Sequence, residues 1–147
     1  MAADNREKSL GYAIGKTNWY LKTLINKLLK DEGFTITNEQ WIVLKAIFEQ
    51  PGQSQTEVSQ HTQKDKTNIT RILDLLEKNG CIQRKRDSRD RRMNRIYITE
   101  HGKTILKAVT PITQKIDVIC SHAIPKKKKD ELIQSLDIVC SSIKTRL

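Results

Sequence analysis

Apolar residues recur at spacings of three and four in several separate stretches of this chain, and polar punctuation divides them. The first stretch is N-terminal. Leu10, Ile14, Thr17, Leu21, Leu24 and Leu28 form the seam of a long helix over roughly residues 8–31. Trp19, Tyr20 and Ile25 widen its apolar surface beyond what one helix can bury alone, and Gly33 suits the position just past its end. Thr37 and Gln40 have the spacing of a capping box. They open a second helix in which Trp41, Leu44, Ile47 and Phe48 share a face, and Pro51-Gly52 stops it. Ser54 and Glu57 repeat the capping box before a short third helix that runs through about Thr62, with Val58 in the core and His61 partly buried. Asp65 caps a fourth helix and Gly80 ends it. Ile69, Ile72, Leu73 and Leu76 make its apolar stripe, opposite Thr67, Thr70, Arg71, Asp74 and Lys78.

Beyond Gly80 the period shortens. Ile82, and then Ile96 alternating with Ile98, read as two short strands around a polar tip. Thr99 caps a fifth helix, along which Ile105, Val109, Ile112, Ile116, Ile119 and Ala123 step by four and three. Pro111 lies inside it and should bend it near residues 107–111, because proline removes a backbone bond. Ile124-Pro125 ends this helix, and Lys126–Lys129 form a basic hinge or the first turn of a sixth. That last helix carries Leu132, Leu136, Val139, Ile143 and Leu147. Two short helices, a tight turn and a hairpin make a helix-turn-helix with a wing. The expected fold is mainly α with a small β-hairpin wing: a winged helix-turn-helix with N- and C-terminal dimerisation helices. Residues 1–34 and 100–147 are expected to form the helical dimerisation region, and residues 35–99 the DNA-binding region of one compact domain.

Charge sharpens this reading. The stretch from Arg84 to Arg95 holds seven Lys or Arg against Asp87 and Asp90, a local charge of +5. No packed core holds such a run, so it is solvated or bound to an anion. The 147-residue chain is basic throughout, with a formal net charge of +10, which favours a polyanionic partner. Aromatic residues are only 5% of the chain, too few for single-strand binding by base stacking. Double-stranded DNA is the expected partner, and a sequence-specific transcriptional regulator the expected function. A low-specificity architectural nucleic-acid-binding protein is the alternative.

Other chemistry finds little purchase. No nucleophile–base–orienter set, phosphate loop or paired carboxylates stand out, and His61, His101 and His122 are scattered, so the chain is not read as an enzyme and no cofactor is expected. Three cysteines do not make a disulfide framework. Cys81 suits a buried structural position, and Cys120 and His122 at i and i+2 do not share a helix face, so no metal site is expected. The polar N-terminus MAADNREKSL has no apolar core of a leader, and no run is long enough to span a membrane. A cytoplasmic protein without a membrane partner is the simplest reading.

A family resemblance rests on specific residues. Thr67-Asn68-Ile69-Thr70-Arg71, Leu76-Glu77-Lys78-Asn79-Gly80, Asp87 with Asp90-Arg91-Arg92, and Ile96-Tyr97-Ile98-Thr99 with Gly102 resemble the MarR (multiple antibiotic resistance regulator) family of bacterial transcription factors. The resemblance covers almost the whole chain and is strongest over residues 37–102. It implies a homodimer, acting as a repressor, on a pseudo-palindromic operator. It also implies that Asp90 orients Arg91 and Arg92, with Arg92 entering the minor groove. The DNA contacts expected from helix, wing and resemblance together are Lys66, Thr67, Asn68, Thr70, Arg71, Arg84, Arg86, Arg89, Asp90, Arg91 and Arg92. Relatives that bind small aromatic or lipophilic acids do so in a crevice between body and DNA-binding lobe. Trp19, Tyr20 and Trp41 are the candidates for lining such an effector site, with core packing as their other role. The chain departs from the family at the turn, where Thr62-Gln63-Lys64 stands in place of the frequent Leu-Gly-Ile. Its first helix also lacks the Cys through which some relatives sense peroxides.

Overall fold

The computed structural model describes residues 8–147. Residues 1–7, which carry most of the polar N-terminus read above, lie outside the described residues. The elements follow the order α1 (Leu10–Asp31), α2 (Asn38–Glu49), α3 (Gln55–Thr62), α4 (Lys66–Lys78), β1 (Ile82–Arg86), β2 (Asn94–Ile98), α5 (Glu100–His122) and α6 (Lys126–Lys144). This is a mainly helical winged helix-turn-helix.

The chain divides into two compact units, Met1–Ile112 and Thr113–Leu147. The core of the first unit gathers Leu29 and Ile36, then Val43, Leu44 and Ile47 of α2, Val58 of α3 and the whole α4 stripe. Cys81, Ile82, Ile96, Leu106, Val109 and Ile112 complete it. Local chemistry sets the joints between its elements. Gly33 (φ +81°) and Phe34 donate their N–H groups to the carbonyls of Lys30 and Leu29 at 3.0 and 2.9 Å, which closes the end of α1. Both capping boxes form, Thr37 with Gln40 and Ser54 with Glu57. The Asp65 side chain accepts the Asn68 N–H at 2.9 Å and caps α4. Lys22 of α1 reaches Glu39 in the first turn of α2 at 2.8 Å, and this ammonium holds the Glu39 carboxyl below its ordinary range.

The sequence-based expectations need correction at several points. The buried face of α2 is Val43, Leu44 and Ile47, while Phe48 is 47% exposed. The stripe is turned by about one residue, because α2 packs against α3 and α4 and so presents its 40–43–44–47 edge inward. His61 is exposed rather than partly buried. Ile119 at the end of the α5 series is exposed as well, and Leu106 takes a core place that the four-three count passed over. Pro111 does lie inside α5, where the sequence placed it.

The helix-turn-helix closes without the family's glycine. Gln63 takes the left-handed conformation itself (φ 53°), a conformation that costs a residue with a Cβ roughly 1 kcal/mol. Two bonds across the turn hold it there: Lys64 N–H to the Ser59 carbonyl at 3.1 Å, and the Ser59 hydroxyl to the Lys64 carbonyl at 2.5 Å.

Strands β1 and β2 pair antiparallel with Ile82 opposite Ile98, Arg84 opposite Ile96 and Arg86 opposite Asn94. The loop after α2 extends this ribbon, since the Gly52 N–H donates to the Ile96 carbonyl and the Ile96 N–H to the Gln53 carbonyl, at 2.9 Å each. The foot of the wing is tight. The Thr99 hydroxyl donates to the Gly80 carbonyl at 2.6 Å and accepts from the Gly102 N–H at 3.0 Å. A Cβ on Gly102 would stand 2.1 Å from the Cys81 carbonyl oxygen, so only glycine fits in that first turn of α5.

In the second unit the end of α5 and α6 are joined near their turn by Lys129 Nζ to Ser121 Oγ at 3.1 Å. Lys126–Lys129 form the first helical turn of α6, and no α6 residue is buried.

Candidate nucleic-acid interface

Helix α4 is anchored from one side only. Ile69, Ile72, Leu73 and Leu76 are buried, and the opposite face carries Lys66, Thr67, Arg71, Asp74 and Lys78 along an open groove. Each polar residue of that face has a definite local partner or none. Arg71 Nη2 donates to Asn68 Oδ1 at 3.3 Å. The Thr70 hydroxyl donates to the Lys66 carbonyl at 2.7 Å and accepts from Gln55 Nε2 of α3 at 2.7 Å. Thr67 and Lys66 are exposed.

The wing sorts its cations into two groups. Arg84 and Arg95 are turned back onto the protein. Arg84, expected at the DNA, meets Glu77 at 2.5 Å and Asp74 at 2.7 Å, a strut between β1 and α4. The carboxylates on α4 take one bond each from Nη1 and Nη2, and the Arg84 side chain is only 20% exposed. Arg95 meets Asp87 through Nε at 2.5 Å, and through Nη1 it reaches Glu57 at 3.1 Å and the Gly52 carbonyl at 3.3 Å. That set ties β2 to the start of α3. Lys85 lies over the Tyr97 ring, 5.5 Å from its centroid. Arg86, Arg89, Arg91 and Arg92 are exposed, and among the described residues no ion pair holds any of them.

The tip is shaped by its two aspartates. Asp87 Oδ1 accepts the N–H groups of Arg89 at 2.7 Å and Asp90 at 3.2 Å, while Oδ2 takes Arg95. The Arg95 guanidinium, helped by those two amides, pulls the Asp87 carboxyl down to about 2. Asp90 does less. It accepts the Arg92 N–H at 2.9 Å, and its own carbonyl takes the Met93 N–H at 3.0 Å. Asp90 therefore orients the backbone at Arg92 and touches no guanidinium, and the larger buttress is Asp87. The sequence carried no signal for Arg95, Glu57 and Gln55 as partners, since each reaches across the fold to a residue far along the chain.

The aromatic candidates do not gather. Trp19 and Tyr20 stand edge to face at 4.8 Å on α1, and both are more than half exposed, so neither packs in a core within the chain. Trp41 is half-buried, lies under the Lys45 ammonium at 5.5 Å, and lines a cleft with Ile42, Glu49, His61 and Gln63. Trp19 and Tyr20 do not line that cleft. Cys81 is buried, and burial pushes its thiol up. Among the described residues, no helix is long and apolar enough to cross a membrane.

Comparison with known proteins places this geometry. Residues 36–93, which span α2 to the wing tip, match the model of the MarR family. The transcriptional regulator HosA of Escherichia coli O157:H7 is 29% identical over 82 residues, a match covering 56% of this chain and 61% of HosA. The chain thus spans about three fifths of the length of that curated relative. A MarR transcriptional regulator from Methanosarcina mazei Go1 superposes with a TM-score of 0.80 at 25% identity, covering 94% of this chain and 98% of that one. The Staphylococcus aureus MepR–DNA complex gives a TM-score of 0.84 at 22% identity, covering 91% and 98%, and so shares the fold.

Proposed function

We propose that the chain is a sequence-specific, double-stranded DNA-binding transcriptional regulator, a reading supported by the match of residues 36–93 to the MarR family model. One observation carries the reading. The outward face of α4 and the exposed Arg86, Arg89, Arg91 and Arg92 of the wing belong to one compact unit, and the wing's other two arginines are spent on holding it in place. A helix with short polar side chains near its N-terminus suits the major groove, and a rigid arginine-bearing tip beside it suits phosphates or the narrow minor groove. Lys66, Thr67, Asn68, Thr70 and Arg71 are the groove residues of this proposal, and Arg92 is the arginine for the minor groove, its backbone fixed by Asp90.

The chain acts as a homodimer in this reading, with 1–34 and 100–147 as the dimerisation region. The support is apolar surface that each unit leaves open: Leu10, Ile14, Trp19 and Tyr20 on α1, and Val118, Ile119, Leu132, Ile133, Ile138 and Ile143 in the second unit. A two-fold protein matches a pseudo-palindromic operator, where it would act as a repressor in the cytoplasm. A small aromatic or lipophilic effector completes the proposal, with Trp41 at the cleft on α2 as its candidate contact.

The test is selection of bound duplexes from a random library, followed by affinity for the selected duplex and a scrambled one across a salt series. A specific regulator favours the selected duplex by about 10³-fold or more at fixed salt. Replacing Arg92 by Ala lowers the salt slope by about one. A ratio near one at every salt concentration overturns the reading in favour of an architectural protein. Sedimentation as a compact monomer at micromolar concentration overturns the dimer.

A further inference from the structure

In the middle of the outer face of α4, at Asn68 and Thr70, neighbours within the fold already engage the hydrogen-bond acceptors. Four side chains there bear oxygen: Thr67, Asn68, Thr70 and Asp74. Asn68 Oδ1 receives Arg71 Nη2 at 3.3 Å. One Asp74 oxygen receives Arg84 Nη2 at 2.7 Å. The Thr70 hydroxyl gives its proton to the Lys66 carbonyl and receives Gln55 Nε2, both at 2.7 Å. Among the described residues, the Thr67 hydroxyl, at the start of the helix, and the second Asp74 oxygen, toward its far end, have no such partner. What the middle of this face still offers is the amide N–H₂ of Asn68, the remaining N–H groups of Arg71 and the Thr70 methyl.

Base edges in the major groove answer to that inventory unequally. Guanine shows two acceptors, N7 and O6, and thymine an acceptor, O4, with a methyl group. Adenine N6 and cytosine N4 are donors, and reading them requires an acceptor on the protein. We propose that α4 reads keto bases, guanine through the donors of Arg71 and Asn68 and thymine through the Thr70 methyl, and that Gln55 is the positioning residue that keeps the Thr70 hydroxyl out of the reading. The inference rests on the DNA-binding function proposed above and specifies the base chemistry of that same face.

The probe is the duplex selected by the wild-type chain, with each thymine in turn replaced by deoxyuridine, which removes only the C5 methyl. At one thymine per half-site the wild type loses about fourfold in affinity, the worth of one buried methyl-sized group. Thr70→Ser, which keeps the hydroxyl and deletes the methyl, removes that uracil penalty. Thr70→Val, which keeps the methyl and deletes the hydroxyl, retains it. Gln55→Ala frees the hydroxyl to accept, so adenine or cytosine becomes tolerated at that position. The deoxyuridine scan of the wild type needs no variant to fold, and indifference to every thymine methyl overturns the proposal. So does the reverse pattern, with the penalty kept in Thr70→Ser and lost in Thr70→Val. Unchanged base preference in Gln55→Ala overturns the positioning role. A selection that enriches no duplex at all instead overturns the DNA-binding function itself.

Discussion

Helices α1 and α4 carry the same four-three apolar rhythm, and they end in opposite circumstances. Every residue of the α4 stripe is at most 2% exposed, whereas Leu10 and Ile14 of the α1 seam are 57% and 38% exposed. The neighbours explain the difference. Helix α4 lies among α2, α3 and β1, which cover its stripe within the chain. Of α1, only its C-terminal end reaches the core, through Leu29 with Ile25 and Leu28 packed beside it. The same pattern thus means an internal anchor in one helix and an apolar face left uncovered within the chain in the other. Burial of apolar area stabilises only where something arrives to exclude water.

The comparison is sharpened most by cutting both stripes. Leu73→Ala should destabilise the chain by about 2–5 kcal/mol, the range for a buried leucine, in urea melts whose midpoint loss is the same at every protein concentration. Ile14→Ala should leave a dilute sample nearly unchanged and lower the midpoint only at concentrations where the wild type self-associates. An equal loss from both, independent of concentration, would erase the distinction.

Next in size is the joint beneath the wing. Gly102→Ala forces a Cβ against the Cys81 carbonyl and should cost about 1–3 kcal/mol, read as an earlier thermal transition. Gly11→Ala and Gly15→Ala, where an added Cβ meets nothing within 4 Å, should stabilise α1 by up to about 1 kcal/mol. Opposite signs for the same substitution would confirm that one region is filled and the other open.

The wing gives a smaller effect with a defined pH sign. The Asp87 carboxyl is held at about 2 against an ordinary value of 3.8. A depressed carboxylate contributes order that is present above its unfolded value and is lost as pH falls through the folded one. The amide resonances of Arg89 and Asp90 should therefore stay fixed from neutrality to about pH 4 and move together with a midpoint near 2. In Asp87→Asn that titration vanishes. An Asp87 midpoint near 3.8 in the wild type would show that Arg95 does not hold the tip.

The smallest expected change lies at the turn. Gln63→Gly relieves a left-handed backbone but loosens the unfolded chain, so the net gain should be at most about 1 kcal/mol. A loss of stability there would mean that the Gln63 side chain is itself an anchor.

Much of this protein could be read along the chain, because much of it is local. Both capping boxes, the Asp65 cap, the glycine stops and the α4 stripe each depend on residues within a few positions of one another, and all stand where their spacing puts them. The wing was equally legible, since a run of like charge between two alternating apolar segments has few other solutions. What the tertiary structure decided is which of those charges are free. Arg84 and Arg92 look alike in the sequence, yet one is locked to carboxylates on α4 and the other stands clear at the tip. Asp87 and Asp90 look alike as well, and only the return of β2 brings Arg95 onto the first. Thr70 reads as an open hydroxyl until α3 lays Gln55 across it. A side chain's hydrogen-bonding capacity is spent on whatever the fold places within about 3 Å, and that neighbour is set by packing between distant segments.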